Sequence, residues 1–119
     1  MKSVALYLPN LTGGGAERTL LRLAAGFRAS GWTPRFVVDQ ARGELVSAVQ
    51  ADRIALDSLE ASRTMQALPR LARWLRAQRP DALLSAITHN NLIAVWARAW
   101  ARVSTRIVLS EHTLLSRQA

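Results

Sequence analysis

Short apolar runs alternate along this chain with segments whose apolar residues recur every three or four positions. Continuous apolar runs are typical of strands buried on both faces, and the longer period is typical of amphipathic helices. The runs predict five strands, at residues 3–8, 35–38, 53–56, 82–87 and 106–109. Because helical segments separate these strands, the pattern predicts an α/β fold with a parallel sheet.

Three longer segments predict helices. The first begins at Ala16, buries the stripe Leu20, Leu23, Ala24 and Phe27, and ends at Gly31. The second covers 62–78, with Pro69 either kinking it or opening a new helix. The third is capped by Asn90 or Asn91, and its apolar spacing predicts a core-facing stripe of Leu92, Val95, Trp96, Ala99, Trp100 and Val103. A further short helix is expected at 44–49.

The element order predicts a Rossmann-like, doubly wound sheet of strand order 3-2-1-4-5 with helices on both faces. In such sheets ligands bind at the carboxyl ends of the strands, where the strand order reverses. Three polar clusters follow strands in this sequence, and they are Gly13-Gly14-Gly15, Thr88-His89-Asn90 and Ser110-Glu111-His112.

The triple glycine is the most informative of these clusters. Glycines between a strand and a helix permit close approach to the backbone, and the helix start offers free N–H groups and a positive dipole end. A phosphate or a sugar hydroxyl suits that place. Glu17 and Arg18, which follow, are interpreted as ordinary charges of the first helical turn.

Neither of two known phosphate-binding motifs matches this loop in full. A Walker loop needs Lys and Ser or Thr after its last glycine, and Ala16-Glu17 stand there. The dinucleotide fingerprint needs a third glycine where Arg18 lies, although Asp39 imitates the acid that binds a ribose. A nucleotide- or dinucleotide-binding module of an oxidoreductase therefore stays open as an alternative.

Composition excludes several further classes of protein and of binding site. The 119 residues are 50% hydrophobic and contain no cysteine, which excludes disulfide scaffolds and thiolate sites, and two His and eight acids make a metal site improbable. Sixteen basic residues give a net charge of +8, which favours phosphates, nucleic acid or an anionic membrane. No nucleic-acid-binding signature accompanies the charge, so nucleic acid is not an expected partner.

Trp74 lies among arginines, which suits a membrane interface or an ordinary solvated helix.

The sequence resembles the N-terminal domain of family 4 glycosyltransferases of the GT-B type. The resemblance rests on Gly13-Gly14-Gly15-Ala16-Glu17-Arg18 after the first strand, and on Arg79-Pro80-Asp81, Thr88-His89-Asn90-Asn91-Leu92 and Val108-Leu109-Ser110-Glu111-His112 in the same order. It implies an enzyme that moves a sugar from a nucleotide-sugar to a glycan or lipid-linked acceptor. We expect a single domain over residues 1–119 that is incomplete, lacks the donor-binding domain and is inactive alone.

The resemblance also implies the site residues. The candidate residues for binding substrate and phosphate are Gly13, Gly14, Gly15 and Asn91, since the glycine loop of the family approaches the acceptor and the phosphates of the donor. His112 with Glu111 is the candidate catalytic pair. No cofactor or metal is expected, because the nucleotide-sugar is a co-substrate. We expect a cytoplasmic protein, in contact with the inner face of the membrane where its acceptor is a lipid.

Overall fold

The computed structural model describes residues 2–12, 14–85, 88–102 and 104–109. Within them, strands and helices alternate from end to end, as β1 (Ser3–Leu8), α1 (Gly15–Ala29), β2 (Thr33–Val38), α2 (Val46–Ala51), β3 (Ala55–Ser58), α3 (Thr64–Gln78), β4 (Ala82–Ser85), α4 (Thr88–Ala101) and β5 (Arg106–Leu109). The strands form one sheet of order β3-β2-β1-β4-β5. The predicted α/β class and strand order are therefore confirmed.

Strand β1 lies at the centre of the sheet. Leu6 pairs with Phe36 of β2 on one side and with Leu84 of β4 on the other, and every strand pairing is parallel. Because all five strands run in one direction, their carboxyl ends share one edge of the sheet. The loops that follow β1 and β2 begin at this carboxyl edge.

The sheet separates two apolar cores. Side chains alternate between the faces of a strand, so Ala5 and Tyr7 of β1 pack on one face while Leu6 and Leu8 pack on the other. Helices α3 and α4 cover the first face, and α1 and α2 cover the second. All four of these β1 side chains are fully buried, which is why the first strand reads as a continuous apolar run.

Several predicted boundaries differ from the structure, including those of α2, which covers Val46–Ala51 and not 44–49, and of α3, which begins at Thr64 and not at 62. Strand β2 begins two residues early, at Thr33, and β3 begins at Ala55 because Arg53 adopts a left-handed φ of 57°. Helix α4 begins at Thr88, so Asn90 and Asn91 lie inside the helix and the prediction that one of them is its cap is wrong. The preference of Asn for a cap amounts to only about 1 kcal/mol, which does not fix where a helix starts.

Helix α3 accommodates its proline without breaking. It runs unbroken from Thr64 to Gln78 with Pro69 in its second turn, so Pro69 does not begin a new helix. The helix ends at Arg79, whose left-handed φ of 44° lets its N–H donate to the carbonyl of Leu75 at 2.8 Å. A left-handed residue that closes the last turn is a common helix end.

The core-facing side of α4 is opposite to the predicted one. The helix buries Ile93, Ala94, Ala97 and Ala101, whereas Trp96 and Trp100 are 65% and 55% exposed. The prediction that both tryptophans pack in the core is therefore wrong. Alanines let α4 approach α3 and the sheet closely, and apolar spacing alone does not distinguish that stripe from the tryptophan stripe.

Trp74 is held by neighbouring elements. Its indole N–H donates to the Asp57 carboxylate at 2.8 Å, and the guanidinium of Arg35 lies 6.0 Å from its ring centre. The indole is half-buried against the core, so its N–H group is used within the fold. In the described part of the chain, no helix is both long and apolar enough to cross a bilayer.

Candidate functional site

The candidate site lies where the sheet reverses its winding. Helix α1 leaves the carboxyl end of β1 on one face, and α4 follows the adjacent strand β4 on the other face. Because the chain leaves these two adjacent strands towards opposite faces of the sheet, a crevice forms between the two connections, and ligands of doubly wound folds bind there. The glycine loop therefore occupies the place that the sequence predicts.

The loop between β1 and the glycines is held by backbone hydrogen bonds. Leu11 donates its N–H to the carbonyl of Arg42 at 2.8 Å and accepts from the N–H of Leu45 at 2.9 Å. Gly43 makes this approach possible, because it has a φ of 117° and any Cβ there would lie 2.2 Å from the Leu11 carbonyl. With the Leu11 side chain fully buried as well, the loop presents the glycines from a fixed position.

Gly14 and Gly15 begin helix α1. Gly14 is the N-cap, with extended backbone angles and a carbonyl that accepts the N–H of Arg18 at 3.1 Å. Gly15 is the first helical residue, and a Cβ added there would meet nothing within 4 Å. The backbone at Gly15 is therefore open to a ligand, and the unbonded N–H groups of a first helical turn lie beside it.

Glu17 is the acid of the first turn of α1, as expected, but it is buried. The residue is only 8% exposed, and its carboxylate folds back over Gly14, with Oε1 2.6 Å from the position a Cβ would take. Sequence reasoning overlooked Glu17 because acids are common in first helical turns. The signal was the missing side chain at Gly14, three residues earlier, which leaves room for the carboxylate.

Two further contacts define the charge around the loop. The Tyr7 hydroxyl donates to the Asp39 carboxylate at 2.6 Å, where β1 and β2 end. Arg18 and Glu44 form an exposed ion pair at 3.5 Å, a kind of contact that contributes little to stability. Acidic and basic groups thus both lie near the glycines.

The structure describes less of the other predicted site residues. Asn91 lies at the start of α4, and its side chain is not described. Gly13, Glu111 and His112 lie outside the described residues. The structure thus brings the glycine loop and the start of α4 to adjacent strands, and the roles of Asn91, Glu111 and His112 stay predictions.

Two described features of the site suit a polar ligand. They are the open backbone at a helix start and the buried carboxylate of Glu17. Across residues 2–12, 14–85, 88–102 and 104–109, no three His, Asp or Glu side chains lie close enough together to hold a metal ion.

Comparison with known proteins agrees with this geometry. Residues 13–119 match the family model of Glycosyltransferase Family 4. The fold is similar to that of the apo form of the lipopolysaccharide outer core galactosyltransferase WaaB, with a TM-score of 0.72 and 17% sequence identity over 92% of this chain. This chain spans 33% of that structure. No curated protein matches the sequence.

Proposed function

Because this chain belongs to glycosyltransferase family 4, we propose that it forms the acceptor-binding wall of an enzyme that transfers a sugar. The donor is a nucleotide-sugar, and the acceptor is a glycan or a lipid-linked glycan. The nucleotide-sugar is consumed as a co-substrate, and no resident cofactor or metal takes part. A lipid-linked acceptor would bring the chain, with its net charge of +8, to an anionic membrane surface that attracts it.

The observation that carries this proposal is the open backbone at Gly15. Gly15 starts α1 at the winding reversal of the sheet, and nothing stands within 4 Å of the place where a side chain would be. A sugar can therefore lie directly against the backbone there. We assign acceptor contact to Gly13, Gly14 and Gly15, and we propose Asn91, in the helix after β4, as a further binding residue.

His112 and Glu111 complete the proposal. A histidine after the fifth strand would line the same carboxyl edge, because β5 is parallel to β4. We propose that His112 binds a sugar hydroxyl or moves its proton during transfer, and that Glu111 orients the imidazole or acts as the base. A positioned general base contributes roughly 10²- to 10⁴-fold to a rate.

The dinucleotide alternative has less support. The third glycine of its fingerprint is replaced by Arg18, which pairs with Glu44. The acid that would bind a ribose, Asp39, instead accepts the hydroxyl of Tyr7. An oxidoreductase module would therefore lack its third glycine and would use a carboxylate that the fold already engages.

A radiolabelled donor assay tests the proposed function. The complete product of the gene that encodes this chain is incubated with a panel of nucleotide-sugars and with methyl glycosides or lipid-linked glycans as acceptors. We expect transfer from at least one donor, and no transfer by residues 1–119 alone. Donor and acceptor must be held together in this chemistry, and positioning contributes about 7–11 kcal/mol to barrier lowering. Binding of NAD without any sugar transfer would support the alternative instead.

A further inference from the structure

We propose that the amino edge of the sheet carries a second binding site, for a phosphate group attached to a small organic molecule. The site is a cavity of about 390 Å³ between the end of α1 and the first residues of β2 and β3, Thr33 and Ala55. It lies at the opposite edge of the sheet from the glycine loop. The inference therefore goes beyond the proposed function and does not depend on it.

The first support is the charge of the cavity. Arg28, Arg35 and Arg53 line it, and none of the described residues that line it is acidic. No carboxylate in the described part of the chain forms an ion pair with any of these guanidinium groups. Like charges that share one cavity repel each other, and a bound anion offsets that repulsion. Arginine suits phosphate because its planar guanidinium presents paired N–H donors.

The second support is that the fold holds two of the three arginines in place. Arg28 donates to the backbone carbonyls of Asp52 and Arg53 at 2.7 and 3.2 Å, which ties the turn after α2 to the end of α1. These bonds use two of its N–H groups and leave the others. Arg35 donates to the side chain of Gln78. A ligand therefore meets donors that are already ordered, which lowers the entropic cost of binding.

Arg53 is the arginine whose side chain the fold leaves unused. It is exposed, and none of the described residues accepts a hydrogen bond from its guanidinium. It belongs to the turn that Arg28 holds, so its backbone position is fixed while its side chain can close on an anion in the cavity.

The third support is an aromatic wall. Trp32 lines the cavity together with Pro34, and its ring packs on that of Phe27 with 5.7 Å between the ring centres. The ammonium of Lys2 lies 5.6 Å from the centre of the Trp32 ring and adds a positive charge beside the cavity. Apolar walls with a few charged groups, in a volume of about 300–1,000 Å³, are typical of small-molecule sites. A phosphorylated sugar, with one charged group on a neutral ring, matches both parts of the cavity.

Selective labelling provides the test. The chain has four tryptophans, so ¹⁵N-tryptophan labelling gives four indole N–H signals, of which that of Trp32 reports on the cavity. Trp96 and Trp100 provide the reference signals, because they are exposed on α4, which does not line the cavity. The probes are glucose 1-phosphate, inorganic phosphate and the neutral methyl glucoside, at matched ionic strength and one protein concentration.

Two variants and a matched control accompany wild type. Arg53→Gln and Arg35→Gln each remove a charge from the cavity, and Arg22→Gln removes the same charge from an exposed position of α1 outside it. We expect both phosphates, and not methyl glucoside, to shift the Trp32 signal of wild type and of Arg22→Gln. Binding should be at least about tenfold weaker in Arg53→Gln and Arg35→Gln, since a hydrogen bond to a charged group contributes that much.

Vesicles identify the source of the phosphate group. Each protein is sedimented with phosphatidylglycerol vesicles and with phosphatidylcholine vesicles. If the phosphate belongs to a lipid headgroup, phosphatidylglycerol vesicles carry down wild type and Arg22→Gln and less of Arg53→Gln. If it belongs to a soluble compound, all three proteins sediment to the same extent while glucose 1-phosphate still shifts the Trp32 signal.

Three results would overturn the inference. They are a Trp32 signal of wild type that responds to neither phosphate, an Arg53→Gln protein that binds glucose 1-phosphate as tightly as wild type, and an Arg22→Gln protein that loses as much affinity as Arg53→Gln. Unchanged Trp96 and Trp100 signals show that each variant is folded.

Discussion

The hydroxyl of Tyr7 donates a 2.6 Å hydrogen bond to the carboxylate of Asp39. It joins the central strand to the loop after β2, next to the glycines. Tyr7 is fully buried, and hydrogen bonds to charged groups are stronger than those between neutral ones. The contact therefore stabilises the carboxyl edge on which the candidate site is built.

Replacement of Tyr7 by Phe should lower the free energy of unfolding by about 1.5–3 kcal/mol, the usual range for a hydrogen bond to a charged group. Urea denaturation measures the change. A double-mutant cycle with Asp39→Ala provides the control, since the two substitutions should be less than additive. Full additivity would show that the hydrogen bond contributes nothing.

Gly43→Ala should destabilise the protein by more than about 2 kcal/mol, because it combines backbone strain with overlap against the Leu11 carbonyl. Gly26→Ala is the matched control. Gly26 lies inside α1 with open space around it, so alanine should stabilise by about 0.5–1 kcal/mol. Thermal unfolding of both variants checks the contrast, and equal effects would be inconsistent with the loop geometry.

Substitutions at the two described glycines of the loop should separate packing from ligand contact. Gly14→Val forces the Glu17 carboxylate to move, so both stability and sugar transfer should fall. Gly15→Ala meets nothing in the protein, so stability should be retained while transfer falls. Acceptor KM and melting temperature measured on the same samples test this. Unchanged KM in Gly15→Ala would remove Gly15 from the acceptor site.

His112→Ala should lower turnover of the complete gene product by roughly 10²- to 10⁴-fold if the imidazole moves a proton. The drop should be smaller if it only binds a hydroxyl. His89→Ala is the control, and it should leave turnover within a few-fold of wild type. The radiolabelled assay measures both variants, and wild-type turnover in His112→Ala would exclude His112 from the catalytic pair.

The exposed face of α4 should promote self-association. Trp96 and Trp100 lie one turn apart and are both more than half exposed, and exposed apolar patches drive association in water. Replacing both with Lys should reduce the sedimentation coefficient of the 119-residue chain at high concentration. Met65→Lys is the control, since Met65 is exposed at 87% but on a different helix. Identical sedimentation of all three proteins would contradict this role.

The sheet could be predicted because its signals are local. Each strand is a continuous apolar run, and a parallel sheet that is buried on both faces requires this. Gly31 ends α1 with a φ of 91°, as its position after the apolar stripe predicts. Strand order follows from the alternation of elements and from the handedness of their crossovers.

The buried face of α4 and the burial of Glu17 depend on contacts that a local pattern does not contain. Two apolar stripes run along α4, and the alanine stripe is buried because small side chains permit close helix packing against α3. The burial of Glu17 depends on the space above Gly14. Charge and spacing are the same for an exposed and a buried glutamate in a first turn, so the sequence alone could not distinguish them.

The central position of β1 has a consequence for synthesis on the ribosome. One edge of β1 pairs with β2 soon after both emerge, but its other edge waits for β4, which begins at Ala82. At translation rates of about 5–20 residues per second, the interval between Val38 and Ala82 lasts roughly 2–9 seconds. Throughout it, one edge of β1 is unpaired, and the part of the apolar face that α4 covers is exposed. Nascent chains halted before β4 should therefore be bound by chaperones more strongly than those halted after β5.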